Sequence, residues 1–314
     1  MTLRSFIRHE TLLALLLALV LVVLSLQSDK FLTVQNLLNQ GRLMTETGLI
    51  AIAMTFVIAT GGIDLSVGSI LGLSAILTGV FWQNVGLPLS VTAVAAIAVG
   101  TIAGLVNGII ITRFKVPPLI ATLATLALYR GLAEGISQAR SVRGYPEWFY
   151  VLGQGSVLGV PTQLWILLLA AVTASILLAY TRYGRTVYVI GSNEVTARFS
   201  GLSVEGTKLA LYTASGFTAA VAAVIFVSRV STTRSDMGTG IELDAITAVV
   251  LGGTSIFGGR GTVLGTVIGL CLIQALKNGL LLAGVKGDGT IMLIGAVLIL
   301  AILASNLFER SGPR

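Results

Sequence analysis

One cysteine, one histidine and six prolines are all that the 314 residues hold of these types. Cys271, alone, allows no internal disulfide and no cysteine metal cluster. His9, alone, argues against a histidine triad, a His-x-x-x-His zinc site and a haem with His ligands. Charge is scarce too: 11% of residues are Asp, Glu, Lys or Arg, where a soluble domain has about a quarter. The chain has no G-x-x-x-x-G-K-[ST] loop for ATP, no G-x-G-x-x-G, no His-Glu-x-x-His and no G-x-S-x-G. No catalytic role and no metal are expected. If the protein moves a solute uphill, an ion gradient or another subunit must drive it.

Apolar sequence fills the space that charge leaves. Hydrophobic residues make up 55% of the chain, and runs such as LLALLLALVLVVLSL (12–26) are long enough to span a bilayer. The reading is an all-α polytopic membrane protein, a single transmembrane domain over 1–314. Apolar blocks fall at about 11–27, 48–61, 65–82, 90–112, 117–136, 163–181, 209–229, 243–257, 262–283 and 289–307, about ten segments, some discontinuous. Arg4 and Arg8 before the first run resemble a signal peptide, but SLQSDKFLTV offers no small-x-small cleavage site, so a retained first span is expected. The net charge of +7 does not point to nucleic acid, because the basic residues lie in short connections. Alternate connections hold eleven and seven Lys and Arg. By the positive-inside rule the richer set, with both termini, is cytoplasmic.

Two blocks are short for a span: 48–61 and 243–257, of 14 and 15 residues, run into the glycine pairs Gly61-Gly62 and Gly252-Gly253. Short, glycine-interrupted segments in the two halves point to discontinuous helices lining a path, since lipid cannot satisfy free backbone at that depth. Two connections are long. Segment 137–162, outside, reads as a surface cap with interfacial Trp148, Phe149 and Tyr150 or as a docking surface for an external partner. Segment 182–208 is the longest inside loop.

Charges inside apolar spans are functional candidates because burial is costly. Asp64, in TGGIDLSVGS (60–69), follows a glycine break and precedes a new helix. It is placed to cap that helix, accepting from free N–H groups and facing the positive end of the dipole; a direct role in gating or passage is the alternative. Ser66 and Gly68 belong to the same stretch. Arg130 and Glu134 stand i,i+4 and can pair with each other, either as structure or as a substrate contact. Gln274, Lys277 and Asn278 form one polar stripe that either packs against a neighbouring helix or lines the path. Asp64 alone comes close to the mid-depth carboxylate or histidine chain of a proton-coupled carrier, which makes an ion-coupled secondary transporter without an ATPase the weaker alternative.

Three stretches carry a resemblance across nearly the whole chain: TGGIDLSVGSILGLSA, YGRTVYVIGSNEVTARFSGLSVEGTKLALYTASG and ELDAITAVVLGGTSIFGGRGTVLGTVIG, with ATLATLALYRG between them. Together they resemble the ribose-type sugar permeases of bacterial ABC importers, within the branched-chain amino acid and sugar permease group. YRG and the LGVP…RSDMG context look closer to rhamnose and autoinducer-2 permeases. The resemblance implies an inner-membrane permease of the type II importer kind, working by alternating access. It would have a second permease subunit, identical or related, two ATP-binding subunits and a periplasmic substrate-binding protein as partners. ATP would be bound on the partners and no cofactor by this chain. In the 182–208 coupling loop, Glu194, Ala197 and Gly201 match the family's Glu-Ala-Ala…Gly spacing, with Val195 where alanine is commoner. A short helix with Glu194 and Arg198 would dock on the ATPase.

Overall fold

Nearly every apolar block forms a helix in the computed structural model, which describes residues 3–285 and the single positions 289, 292, 295, 296 and 299; the side chains of residues 3–9 lie outside that description. The helices are α1 (Leu3–Gln27), α2 (Val34–Leu43), α3 (Thr45–Ala59), α4 (Val67–Gln83), α5 (Leu89–Arg113), α6 (Pro118–Ser137), α7 (Glu147–Gln154), α8 (Thr162–Tyr180), α9 (Arg182–Ser192), α10 (Glu194–Phe199), α11 (Val204–Val230), α12 (Ile241–Leu251) and α13 (Val263–Leu282). The tenth expected block, 289–307, and the charges at Lys286, Asp288, Arg310 and Arg314 lie outside the described residues, apart from helical positions within 289–299.

Length and apolarity let six described helices cross a membrane: α1, α5, α6, α8, α11 and α13. The pair α2–α3, bent by 50°, makes a seventh. The bend was not legible in the sequence. The blocks at 65–82 and 243–257 are occupied by shorter helices, α4 with 17 residues and α12 with 11.

Burial sorts these helices into a centre and a rim. Helix α3 is buried on nearly every side, and α4 over its first 13 positions. A helix that is apolar all round belongs in such a centre. Helix α1 exposes Leu12, Leu15, Leu19 and Leu26, as a lipid-facing helix should. Helices α5 and α11 cross closely on small residues. A Cβ at Gly104 would stand 2.9 Å from the Gly216 Cα, and one at Gly100 would stand 2.5 Å from the Ala220 Cβ. Packing through small residues is how membrane helices gain contact without a hydrophobic driving force between them.

Helix α12 is about 16 Å long at 1.5 Å per residue, half of a span. The chain before it, 231–240, is turn and short strand, Thr232–Thr233 pairing antiparallel with Val142–Arg143. This non-helical stretch lies along α4. Near one end of α4, Gly79 faces Thr233 and Tyr145; near the other, a Cβ at Gly68 would stand 2.5 Å from the Gly238 carbonyl oxygen. Irregular backbone at the level of a helix is tolerated where protein encloses it, and α4 does so.

Candidate functional site

The two glycine pairs end their helices in the same way. At α3, the Gly62 N–H donates to Val57 O at 3.1 Å and the Gly61 N–H to Ile58 O at 2.8 Å. At α12, the Thr254 N–H donates to Val249 O at 3.2 Å and the Gly253 N–H to Val250 O at 2.9 Å. Both sets have the six-to-one and five-to-two pattern of a Schellman cap, which needs a left-handed residue at its turn. Gly61 and Gly253 supply it, with φ of 77° and 88°. Gly62 sits against the Tyr212 hydroxyl, and Gly252 against the backbone of Gly265 on α13.

The two breaks meet in space. The Gly259 N–H donates to Ala59 O at 2.9 Å, so the second loop satisfies a carbonyl that α3 leaves free at its end. A Cβ at Gly258 would lie 2.8 Å from both the Gly61 nitrogen and the Gly191 oxygen. Helix α9 closes the junction. Its Gly191 lies so near Ala59 O and Gly259 N that a Cβ there would collide with both. The Tyr188 hydroxyl donates to Gly261 O at 2.7 Å. The sequence gives Gly191 and Tyr188 no local signal, whereas Gly258 and Gly259 belong to the string SIFGGRG, with three glycines in its last four positions.

Asp64 lies in the first break, three residues before α4, and is fully buried. The residue at the N-cap of α4 is Ser66, whose side chain makes no cap bond. Asp64 acts one turn earlier: Oδ1 accepts from the Ser66 N–H at 3.0 Å and the Ser66 hydroxyl at 2.6 Å. Its Oδ2 accepts from the Ser215 hydroxyl of α11 at 2.8 Å. Asn107 of α5 donates to Ser66 Oγ at 2.7 Å. The carboxylate thus organises its own turn and also joins the break to α5 and α11. Ser215 and Asn107 are separated from it by 151 and 43 positions, which no local pattern reveals.

Arg130 does not pair with Glu134, whose side chain is exposed. It reaches the enclosed 231–240 segment instead, donating to Ser235 O at 2.5 Å, Met237 O at 2.9 Å and Gly68 O at 3.2 Å. Two carbonyls of the non-helical segment and one in the first turn of α4 outbid one exposed carboxylate for a fork of N–H donors. Hydrogen bonds to a charged group contribute about 1.5–3 kcal/mol each. Arg130→Ala should therefore lower the thermal midpoint of the detergent-purified chain by several degrees, and Arg130→Lys should recover only part of that loss. Equal midpoints for all three would contradict this assignment.

The polar stripe on α13 faces other helices. Gln274 donates to Gln40 of α2 at 2.7 Å, Lys277 pairs with Asp244 of α12 at 2.5 Å, and Asn278 exchanges hydrogen bonds with Asn36 of α2. Of the two readings open in the sequence, these contacts are those of interhelical packing.

Segment 182–208 is two short helices and the start of α11. Helix α10 is capped by Asn193, which accepts from the Thr196 N–H at 2.9 Å. It ends at Gly201, with φ of 75°, and a Leu202 N–H to Ala197 O bond of 3.1 Å. Ala197 is fully buried against Ile190, Leu202 and Val204, which seats α10 on α9 and α11. Glu194 binds Arg198 at 3.0 Å and Lys208 at 2.5 Å, and Arg198 also pairs with Glu205. Partial burial opposes the charge on Glu194, but the Lys208 and Arg198 partners outweigh it and hold the carboxyl below its ordinary range. Val195 and Phe199 point out into the open, Phe199 with 89% of its surface exposed.

A model of the family described as branched-chain amino acid transport system / permease component matches residues 36–302. The ribose import permease protein RbsC of Escherichia coli (strain K12) is 38% identical over 312 residues, covering 96% of this chain and 95% of that protein. RbsC of Bacillus subtilis (strain 168) is 40% identical over 290 residues, covering 91% and 89%. The autoinducer 2 import system permease protein LsrD of Yersinia enterocolitica serotype O:8 is 37% identical over 304 residues, covering 95% and 92%. No solved structure matches at the same stringency.

Proposed function

From a chain that belongs to the branched-chain amino acid transport system / permease component family, we propose a multi-pass inner-membrane permease subunit of an ATP-binding cassette sugar importer. The substrate is a small neutral monosaccharide or related polyol; the relatives are named for ribose and autoinducer 2. The chain supplies the path and no ATP site, and separate ATP-binding subunits drive it. A substrate-binding protein delivers the solute at the opposite face. A second permease subunit, a copy or a relative, completes the path. Both termini and α9–α10 face the cytoplasm, in keeping with the positive-inside count. Family membership does not favour an ion-driven carrier acting alone.

The observation that carries this reading is the contact between α9 and both helix breaks. Helix α10 is exposed at Val195 and Phe199 and is seated on α9 through Ala197. Helix α9 rests directly on Ala59, at the end of α3, and on the Gly258–Gly259 turn. A push on α10 by an ATPase is thereby delivered as a rigid shift to the two points where the path helices are interrupted, as a two-state element requires. The 137–162 segment at the other end is the docking surface for the binding protein.

Glu194→Ala tests the lever. It removes the carboxylate that ties α10 to α11 through Lys208, while the spans keep their packing. ATP-dependent uptake and co-purification of the ATP-binding subunits should each fall about tenfold, the equivalent of 1.4 kcal/mol of docking free energy. Membrane insertion should be unchanged. Normal assembly with normal uptake would remove the coupling role.

A further inference from the structure

Helices α5 and α11 run antiparallel, with Gly100 against Gly216 and Gly108 against Leu209. Beside this crossing they leave an open groove of about 490 Å³. Thr101 and Leu105 line it from α5, and Gly206, Ala210, Thr213 and Phe217 line it from α11. Its two threonine hydroxyls are spent on their own helices, Thr101 donating to Ile97 O at 2.7 Å and Thr213 to Leu209 O at 2.8 Å. What remains is apolar, and Ala210 and Phe217 are exposed. A polar solute finds no free hydrogen-bonding side chain there.

Charge stands at one end only. Thr101, Leu105, Ile109 and Arg113 follow one another at four-residue steps and so share a face of α5. Arg113 is the last residue of that helix, and Lys115 follows with φ of 55°, in the left-handed region that glycine usually fills after a helix. A non-glycine residue held in that region points to a use for its side chain. Both cations are exposed, and neither has a carboxylate partner among the described residues. The acids near this end of α11 are already engaged, Glu205 by Arg198 and Glu194 by Arg198 and Lys208. Gly206 places the first turn of α11 at the same end, and its N-cap residue Ser203 makes no cap bond. The positive end of that helix therefore adds to the attraction for an anion.

The dimensions identify the occupant. From Thr101 to Arg113, α5 rises about 18 Å, close to half of a hydrocarbon core of roughly 30 Å. We propose that the groove binds one anionic phospholipid, with an acyl chain along Thr101, Leu105 and Ala210 and its phosphate on Arg113 and Lys115. The site rests on the membrane-spanning reading; the proposed orientation makes the lipid one of the cytoplasmic leaflet. Charge separates this occupant from a second copy of the chain. Copies packed here about a two-fold axis along the membrane normal would set Arg113 and Lys115 against their own counterparts. The headgroup lies beside the first turn of α11, whose Val204 helps to seat α10.

The test is native mass spectrometry of the full chain in detergent, titrated with phosphatidylglycerol or with phosphatidylcholine of the same acyl chains. Phosphatidylglycerol should bind about twentyfold more tightly, since each basic group at an anionic headgroup contributes roughly fivefold. Arg113→Gln with Lys115→Gln should bring it down to the affinity of phosphatidylcholine. Ala210→Phe, which fills the groove, should weaken both lipids. Arg182→Gln with Arg185→Gln removes an exposed basic pair on α9 and should bind both lipids as the parent does. Equal affinity of the parent for the two lipids overturns the proposal, as does unchanged binding in the 113/115 or 210 variant, or an equal loss in the 182/185 variant. So does a cross-link from Ala210→Cys to a second permease chain in native membranes, on a Cys271→Ala background, because protein would then fill the groove. Binding is read without ATP, sugar or partner subunits. Its failure leaves the importer reading standing, and failed uptake leaves the lipid site standing.

Discussion

Gly191→Val should leave the chain inserted in the membrane and stop uptake. Gly191 stands against both helix breaks at once. A Cβ at 191 would occupy the space of Ala59 O and Gly259 N, which are backbone atoms fixed by two caps. Neither can rotate away as a side chain would. Helix α9 must lift, and with it go the Tyr188–Gly261 bond and the seat of α10. The Gly259–Ala59 bond is then exposed to breakage, at a cost of about 1–3 kcal/mol for a buried carbonyl left unpaired. Uptake should fall at least about a hundredfold, since a small misplacement of a positioning element is enough for that. Gly131→Ala and Gly135→Ala are the controls. A Cβ at either meets nothing within 4 Å, and alanine adds up to about 1 kcal/mol of helix propensity. If Gly191→Val transports like these controls, the junction is not part of the lever.

Asp64 carries the second large effect, and two substitutions separate its charge from its hydrogen bonding. Asp64→Leu removes the acceptor for the Ser66 N–H, the Ser66 hydroxyl and the Ser215 hydroxyl, all buried. At roughly 1–3 kcal/mol for each stranded group, the loss approaches the 5–15 kcal/mol that holds a domain together. The variant should fail to accumulate. Asp64→Asn keeps one acceptor oxygen of the same shape, so it should accumulate and transport within several-fold of the parent. Loss of uptake by a well-folded Asp64→Asn would give the charge a role of its own in passage.

The parts of this arrangement that were legible in the sequence are those set by local pattern. Apolar runs located the helices α1, α5, α6, α8, α11 and α13, and the glycine pairs at 61–62 and 252–253 located both breaks. The cap residues of α10 follow the same local rules. What the sequence withheld depends on contacts between distant positions. Arg130 and Glu134 stood one turn apart and suggested a pair, but the partners of Arg130 lie 62 to 107 positions away. Gln274, Lys277 and Asn278 formed a stripe whose meaning depended on α2 and α12. The glycine break before Asp64 marks it as a helix cap, while its link to α5 and α11 has no sequence signal. The bend between α2 and α3 was missed because Met44, at the joint, is neither glycine nor proline.

Solute uptake into proteoliposomes, with and without the ATP-binding subunits, bears most directly on the central claim. Vesicles holding this chain, its permease partner, the ATP-binding subunits and the binding protein should accumulate labelled sugar only when ATP is supplied. Vesicles holding this chain alone should accumulate none under a proton or sodium gradient. Gradient-driven accumulation by the chain alone, with no ATPase present, would contradict the account.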